Sequence, residues 1–351
     1  LRKERKSGFL TPSLSLNFFD TKTSQSLSFP YYFNLAIDKE LTFVPILNYG
    51  GGTDSSQRFL FEYNQILSGG ALSTDLTFDS NFENDDNNKW LSDASLVTNY
   101  NQNLNEDYKL SINSAFQTSQ NYIQITEPDN DLSYTNSLKT NIKLERFNIR
   151  KIDDYLSTNL SFYQTNQKNE DNKTIPTVFP YMTYYSGSEI YKDNNVNQIF
   201  EFYNIFRDTN TDVHSQRQQK LSQTINISKN FIRYNSIISF KSEIYNQLFN
   251  TENKLIQTSE YHSGSTYRFF PIFGINAKTP FKLKKDKLNF TFSPYSQIVV
   301  APGISNTNKI SNEDSSNNSF SLENFNSLNR YTGTDKMDNS QRINYGFDIS
   351  N

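Results

Sequence analysis

Apolar and polar side chains alternate along most of this chain. Across 72–82, Leu72, Thr74, Leu76, Phe78, Ser80 and Phe82 share one parity, and Ser73, Asp75, Thr77, Asp79 and Asn81 the other. Across 108–117, Tyr108, Leu110, Ile112, Ser114 and Phe116 oppose Lys109, Ser111, Asn113, Ala115 and Gln117. The stretches 138–144 and 221–227 repeat the pattern, with Leu138, Thr140, Ile142, Leu144 and Leu221, Gln223, Ile225, Ile227 on their apolar sides. A period of two predicts strands with one apolar and one polar face. Turn-rich separators at 50–54, 69–70, 84–88, 128–131 and 192–195 divide the runs. Strands of about 9–11 residues can cross a bilayer when tilted. The spacing predicts roughly sixteen of them. No comparable stretch holds a helical period. The longest strand-poor segment, 305–327, is rich in Asn and Ser and reads as a long loop.

Composition changes this picture in one respect. Of 351 residues, 35% are hydrophobic, below the usual ~45–50%, and mean hydropathy is -0.71. Such values suggest disorder, yet disordered chains are poor in aromatics, and this one has 29 Phe and 22 Tyr. A transmembrane β-barrel reconciles the two. One side chain in two faces lipid, the lumen is polar, and aromatics gather at the interfaces. No apolar run approaches the ~18 residues of a transmembrane helix.

Charge and candidate chemistry narrow the reading further. Net charge is -3, from 34 basic and 37 acidic residues, with no basic stripe for nucleic acid. The Lys282–Lys287 cluster reads as a solvated hairpin turn. Without cysteine there are no disulfides, zinc-thiolate sites or thiol nucleophiles. His214 and His262 stand far apart and read as exposed loop residues outside any metal or triad spacing. Asp85-Asp86 and Asp129 with Asp131 lack an EF-hand order and read as solvated turns. No cofactor or metal is expected. Trp90 reads as an interface aromatic.

Residues 7–45 are unusual. Two alternating halves each carry a proline, Pro12 and Pro30, read here as lying inside strands. A strand proline cannot donate to the ladder, so neighbouring strands that each contain one form a seam short of hydrogen bonds. Leu27, Phe29, Tyr31 and Phe33 share one parity beside it and read as its lipid-facing side. Pro45, Pro271 and Pro294 fit strand ends.

These residues also carry a resemblance. Ser7-Gly8-Phe9-Leu10 with Pro12, then Pro30-Tyr31-Tyr32-Phe33-Asn34-Leu35-Ala36, Asp38, Thr42 and Pro45, is similar to the start of the barrel domain of the LptD (Imp/OstA) family of lipopolysaccharide-assembly outer-membrane proteins. Further matches are Asn312-Glu313-Asp314-Ser315, then Asn329-Arg330-Tyr331-Thr332-Gly333-Thr334-Asp335-Lys336, then Arg342-Ile343-Asn344-Tyr345-Gly346. Arg268 with Pro271, and Pro294 before Ala301-Pro302, match more weakly.

The resemblance implies that residues 1–351 are the N-terminal part of an antiparallel transmembrane β-barrel of roughly 26 strands. A jellyroll would precede them and further strands would follow. It implies an outer-membrane translocon that inserts lipopolysaccharide into the outer leaflet and does no covalent chemistry. Pro12 and Pro30 would mark a lateral gate. The implied partners are lipopolysaccharide, an LptE-like lipoprotein plug in the lumen, and a periplasmic Lpt bridge reached through the N-terminal domain. Asn329, Arg330, Gly333 and Asp335 are motif residues whose role the sequence leaves open. A loop such as 305–327 would lie on the cell surface or fold into the lumen. The alternatives are a passive porin-like channel, which predicts proline-free first strands, and a surface enzyme, which needs a catalytic cluster at the rim.

Overall fold

A computed structural model describes residues 5–17, 24–50, 56–81, 93–127, 130–167, 170–285, 288–316, 321 and 324–350. Trp90 and the 84–88 turn with Asp85-Asp86 lie outside the described residues, as does Asp129. The chain is all-β, with twenty antiparallel strands among the described residues. It divides into two units: 1–146 with 159–177, and 147–158 with 178–351.

The first unit holds β1 (Gly8–Phe9), β2 (Ser13–Asn17), β3 (Ser24–Ser28), β4 (Tyr31–Ala36), β5 (Lys39–Gly50), β6 (Ser56–Leu67), β7 (Gly70–Asn81), β8 (Asp93–Asn103), β9 (Tyr108–Gln117) and β10 (Ser137–Phe147). From β5 onward each strand pairs with the next. Short turns at 37–38, 68–69 and 104–107 close one end. The other end carries longer connections, including 118–136 with a one-turn helix α1 (Tyr122–Thr126). Alternation sorts the faces as the sequence predicts. Phe43, Phe59, Phe61 and Phe78 share one face, with Phe43–Phe61 and Phe59–Phe78 centroids 4.8 and 5.2 Å apart. On the other face Arg58 binds Asp79 at 2.7 Å, Tyr122 donates to Asp79 at 3.0 Å, and Thr77 donates to Glu127 at 2.8 Å. Ile123 packs on Ala115 and Leu138 beneath the 118–136 connection.

Strand β11 (Tyr155–Thr165) is shared between the units. The second unit continues with β12 (Thr177–Tyr185), β13 (Glu189–Tyr191), β14 (Asn194–Phe206), β15 (Arg217–Arg233), β16 (Ser236–Gln257), β17 (Glu260–Lys278), β18 (Phe281–Lys285), β19 (Leu288–Val300) and β20 (Arg342–Ser350). Its sheet is open, and among the described residues β20 pairs with β19 alone. Two-residue hairpins at Lys192-Asp193 and Tyr234-Asn235 place both central residues at positive φ, the conformation that matches strand twist. Four interruptions, β1 to β2, β3 to β4, β12 to β13 and β17 to β18, each join two consecutive strands into one run. The twenty strands therefore form sixteen runs, the number the spacing predicts.

Burial in the second unit is inverted relative to a soluble protein. Large apolar residues such as Leu221, Tyr267, Ile298, Tyr345 and Ile349 are exposed on one face. Their neighbours Gln218, Lys220, Gln247, Arg268 and Gln297 are buried on the other. Apolar surface left outward on every run suits lipid, not water. No helix among the described residues is long and apolar enough to cross a membrane, which does not bear on strands.

Several expectations need correction. Pro12 and Pro30 stand between strands, Pro12 separating β1 from β2 and Pro30 separating β3 from β4, because the regular ladder stops where a donor is missing. Pro45, Pro271 and Pro294 are not at strand ends. They pair within β5, β17 and β19, with Phe59, Ile244 and Phe347 opposite. Lys282, Lys284 and Lys285 of the 282–287 cluster belong to β18, not to a turn, and Asp286 and Lys287 lie outside the described residues.

Candidate functional site

Two constructions are candidates, one in each unit. The first lies across β1 to β5. Phe9 pairs with Tyr31 and Ser13 with Ser28, so residues 10–12 face only 29–30. This extra residue is a bulge, which bends and twists a strand locally. Leu10 donates to the Pro30 carbonyl at 2.9 Å, and Phe29 donates to the Pro45 carbonyl at 3.1 Å. In an antiparallel ladder such pairs exchange two bonds. Neither proline has an N–H, so the return bonds to the Leu10 and Phe29 carbonyls cannot form. Pro12, Pro30 and Pro45 thus fall at one level across three neighbouring runs. Leu27, Phe29, Tyr31 and Phe33 share a face, opposite Leu47, Pro45, Phe43 and Leu41.

The two sides of this level are held differently. On the β1–β4 side, Phe9 meets Tyr31 edge-on at 4.9 Å and Tyr31 meets Phe33 at 4.6 Å. Tyr32 and Arg5 both bind Glu40, at 2.9 and 3.0 Å, and Asn34 takes hydrogen bonds to Ser7 and Arg5. On the β2–β3 side the side chains are mostly serine and leucine, joined by Ser13 and Ser28 at 2.6 Å.

The second construction is a strap, the segment 301–341 between β19 and β20, whose described residues fold back onto the buried face of β14–β19, the wall. Alternation in β14–β17 points Tyr203, Lys220, Gln247, Phe249 and Arg268 to that face. Two motif segments clamp each other there. The Asp314 carboxylate accepts from the backbone N–H of Thr334 and Asp335, the latter at 2.8 Å. The Asp335 carboxylate accepts from the backbone N–H of Glu313 at 2.8 Å and Asp314 at 3.2 Å. Gly333 is required by this approach, because a Cβ there would overlap Asp314. Ser315 accepts from Asp335 and Lys336, each at 3.0 Å.

The wall then grips the clamp. Lys220, fully buried, places its Nζ 2.8 Å from Asp314, 3.0 Å from Asp335 and 3.5 Å from Glu201, with the Tyr203 ring 5.0 Å away. Tyr203 donates to Asp335 at 2.9 Å. Arg268 donates to the Asp335 carbonyl at 2.7 Å and to Gln247. Arg207 forms a two-pronged pair with Glu313 at 3.2 and 2.6 Å. Lower in the segment, Arg330 and Arg342 share Asp338 at 2.5 and 2.9 Å, and Asn329 accepts from the Asp338 N–H at 3.0 Å. Leu328 fills a notch over Gly274, where a Cβ would overlap it. Around it Tyr245, Phe270, Ile272, Val299, Ala301 and Met337 form the unit's apolar cluster.

The strap's carboxyls respond to these surroundings. Burial pushes the Asp335 carboxyl up to about 6, against the pull of Lys220. Burial acts upward on Asp314 and Asp338 too, but Lys220 outweighs it at Asp314, and Arg330, Ser340 and Arg342 outweigh it at Asp338. Both end below the usual carboxylate range. Between the strap and the wall lies a polar cavity of about 610 Å³ lined by Tyr181, Glu201, Lys241, Glu243 and Asn329 among others.

The structure therefore brings Asn329, Arg330, Gly333 and Asp335 into one strap, where Asn329 donates to the Gly333 carbonyl at 3.2 Å, Arg330 binds Asp338, and Asp335 reaches the wall through Lys220, Tyr203 and Arg268. Sequence reasoning missed Lys220, Tyr203, Gln247 and Arg207, and took Glu313 as a motif residue without a contact. For Lys220 the signal was its parity with Ser222, Thr224 and Asn226, opposite Leu221, Ile225 and Ile227. The histidines also differ from expectation. His214 is half-buried, with Nδ1 3.6 Å from Glu313, and His262 lies in β17. Among the described residues no group of His, Asp and Glu is arranged to hold a metal.

A sheet that is apolar outward and ion-paired inward, with short turns at one end and a long connection folded inside, defines the wall of a membrane β-barrel. The family model described as LptD, LPS transport system D, matches residues 94–350. The chain belongs to the LptD family. That membership supports a part in lipopolysaccharide transport and assembly at the outer membrane. The matched span includes the whole strap and begins after β1–β5, whose likeness rests on residues 7–45 themselves. A comparison with curated proteins finds no match.

Proposed function

We propose that this chain forms part of an outer-membrane translocon that inserts lipopolysaccharide into the outer leaflet, and that the lipid leaves sideways at the first strands. The observation that carries this reading is the pair of ladder bonds that Pro30 and Pro45 cannot make. An unsatisfied backbone group in hydrocarbon costs several kcal/mol, so a line of them across three runs is kept against a cost that lateral exit accounts for. Pro12 and Pro30 are the gate residues in this reading. Leu27, Phe29, Tyr31 and Phe33 meet acyl chains, while sugars follow the polar face. A lipoprotein plug of the LptE kind occupies the lumen, and a periplasmic bridge delivers the substrate. The strap on the polar face weighs against a passive channel.

The test is a cross-link between the first and last strands of the full-length protein. Surface arrival of lipopolysaccharide should stop and should return on reduction. Arrival at an unchanged rate with the cross-link intact would refute lateral exit. Ion conductance as high as that of an open porin would favour the channel.

A further inference from the structure

The prolines do not run along one seam between two strands. They cross three runs at one level, Leu10–Pro12, Phe29–Pro30 and Val44–Pro45. Missing donors stacked at one level weaken a sheet against bending across its strands, whereas donors missing along one strand weaken it against unzipping. The bulge at 10–12 adds a local bend at that same level. Among the described residues the aromatic stack and the Glu40 bonds lie on the β1–β4 side. Beyond the level the described residues give three pairs of β5 with β6, Ile46↔Arg58 to Asn48↔Ser56.

We infer that this line is a transverse crease, about which β2, β3 and the 46–50 end of β5 swing outward as a flap while β1, β4 and the rest of β5 stay in place. The inference rests on the proposed lateral exit and deepens it. The gate opens over part of the strand length, not from end to end. The flap lies at the end away from the 37–38 turn, and in outer-membrane barrels short turns face the periplasm. The opening therefore faces the outer leaflet. Pro45 acts as a positioning residue that carries the crease into a third run.

Spin-label distances in the full-length protein in lipid bilayers test this. This stretch of chain has no cysteine, so labels are introduced in pairs, Leu14→Cys or Phe9→Cys, each with Leu96→Cys on β8. With lipopolysaccharide present, the 14–96 distance should split into two populations and the 9–96 distance should stay single. Pro45→Ala supplies one donor, and one ladder bond of about 1 kcal/mol lowers the swung-out population about fivefold. Pro294→Ala, an interior strand proline elsewhere, should leave it unchanged and controls for the substitution itself. Equal widths for both pairs, or a swung-out population that Pro45→Ala does not reduce, would overturn the crease. Surface arrival of lipopolysaccharide is followed in the same variants. A flap that moves as described while arrival ignores the first-to-last cross-link leaves the crease standing and removes lateral exit. A cross-link that stops arrival while Leu14 never moves does the reverse.

Discussion

Replacing Lys220 with methionine removes the one cation that touches Asp314, Asp335 and Glu201 together. At an effective dielectric near 20, unit charges about 3 Å apart attract by roughly 5–6 kcal/mol. Two such pairs give a gross attraction of roughly 10, much of it offset by the several kcal/mol needed to strip water from a fully buried ammonium. Deletion exposes the other side of that balance. Asp335 stays buried without its counter-ion, and breaking a buried pair from one side costs about 3–5 kcal/mol. The strap should therefore detach before the sheet does. The assay is limited proteolysis of the full-length protein in vesicles with protease on the loop side, read at 301–341, alongside thermal unfolding. Wild type should resist cleavage there, and Lys220→Met should be cut while the strands remain protected. A double-mutant cycle with Asp335→Asn should return a coupling energy above ~1 kcal/mol, since contacting charged residues are not additive. Equal protection of the strap in wild type and Lys220→Met, with zero coupling, would refute the claim that this ion cluster holds it.

Other perturbations act on the same attachment by different physics. Gly333→Ala forces a Cβ into Asp314 and should destabilise docking by about 1–3 kcal/mol, as overpacking does, read as faster amide exchange at Thr334 and Asp335. Leu328→Ala empties the notch over Gly274 and should cost about 2–5 kcal/mol; Gly274→Val fills the notch from the wall side and should release the strap to protease as well. The pH dependence has two signs. Asp335, raised to about 6, contributes stability that is complete below the ordinary Asp value and lost as pH rises through about 6. Asp314 and Asp338, lowered, contribute stability that is present above the ordinary value and lost as pH falls through their folded values. Docking should thus hold through mild acid and fail below the usual carboxylate range. Asp335→Asn should remove the drift near pH 6, which strap proteolysis across a pH series would show.

Much of the architecture was legible because a membrane sheet writes its faces into every second residue. Leu72, Leu76 and Phe78 against Asp75, Thr77 and Asp79 need no tertiary information to be sorted, and sixteen runs follow from the turn spacing alone. The motif Asn312–Ser315 was legible as a likeness but not as a contact. Nothing local says that the Asp314 carboxylate reaches the N–H groups of residues twenty positions on, since that pairing exists only once β15 and β17 bring Lys220 and Arg268 to the same face. The 41 residues between β19 and β20 carry no period, so their folding inward was invisible to pattern reading.

The prolines show where pattern reading stops for a physical reason. A proline's position in a run is in the sequence, but the direction in which its missing N–H would have pointed is not. That direction depends on which pair of the ladder it occupies, and the pair depends on register. Pro45 and Pro294 look alike along the chain, each flanked by apolar alternation. In the sheet Pro45 stands opposite Phe29, one residue from Pro30 and at the level of Pro12, so its lost donor adds to theirs. Pro294 stands opposite Phe347 on one side and Thr279 on the other, where its carbonyl accepts from Thr279 at 3.1 Å, one residue from Pro280 at the β17–β18 interruption, so its lost donor adds to one other across two runs. The same residue type thus lines up across two runs in one place and across three, beside the 10–12 bulge, in the other. The wider line with its bulge bends a sheet more readily at a chosen height, which is why register, more than proline content, decides whether the first strands of this protein can part.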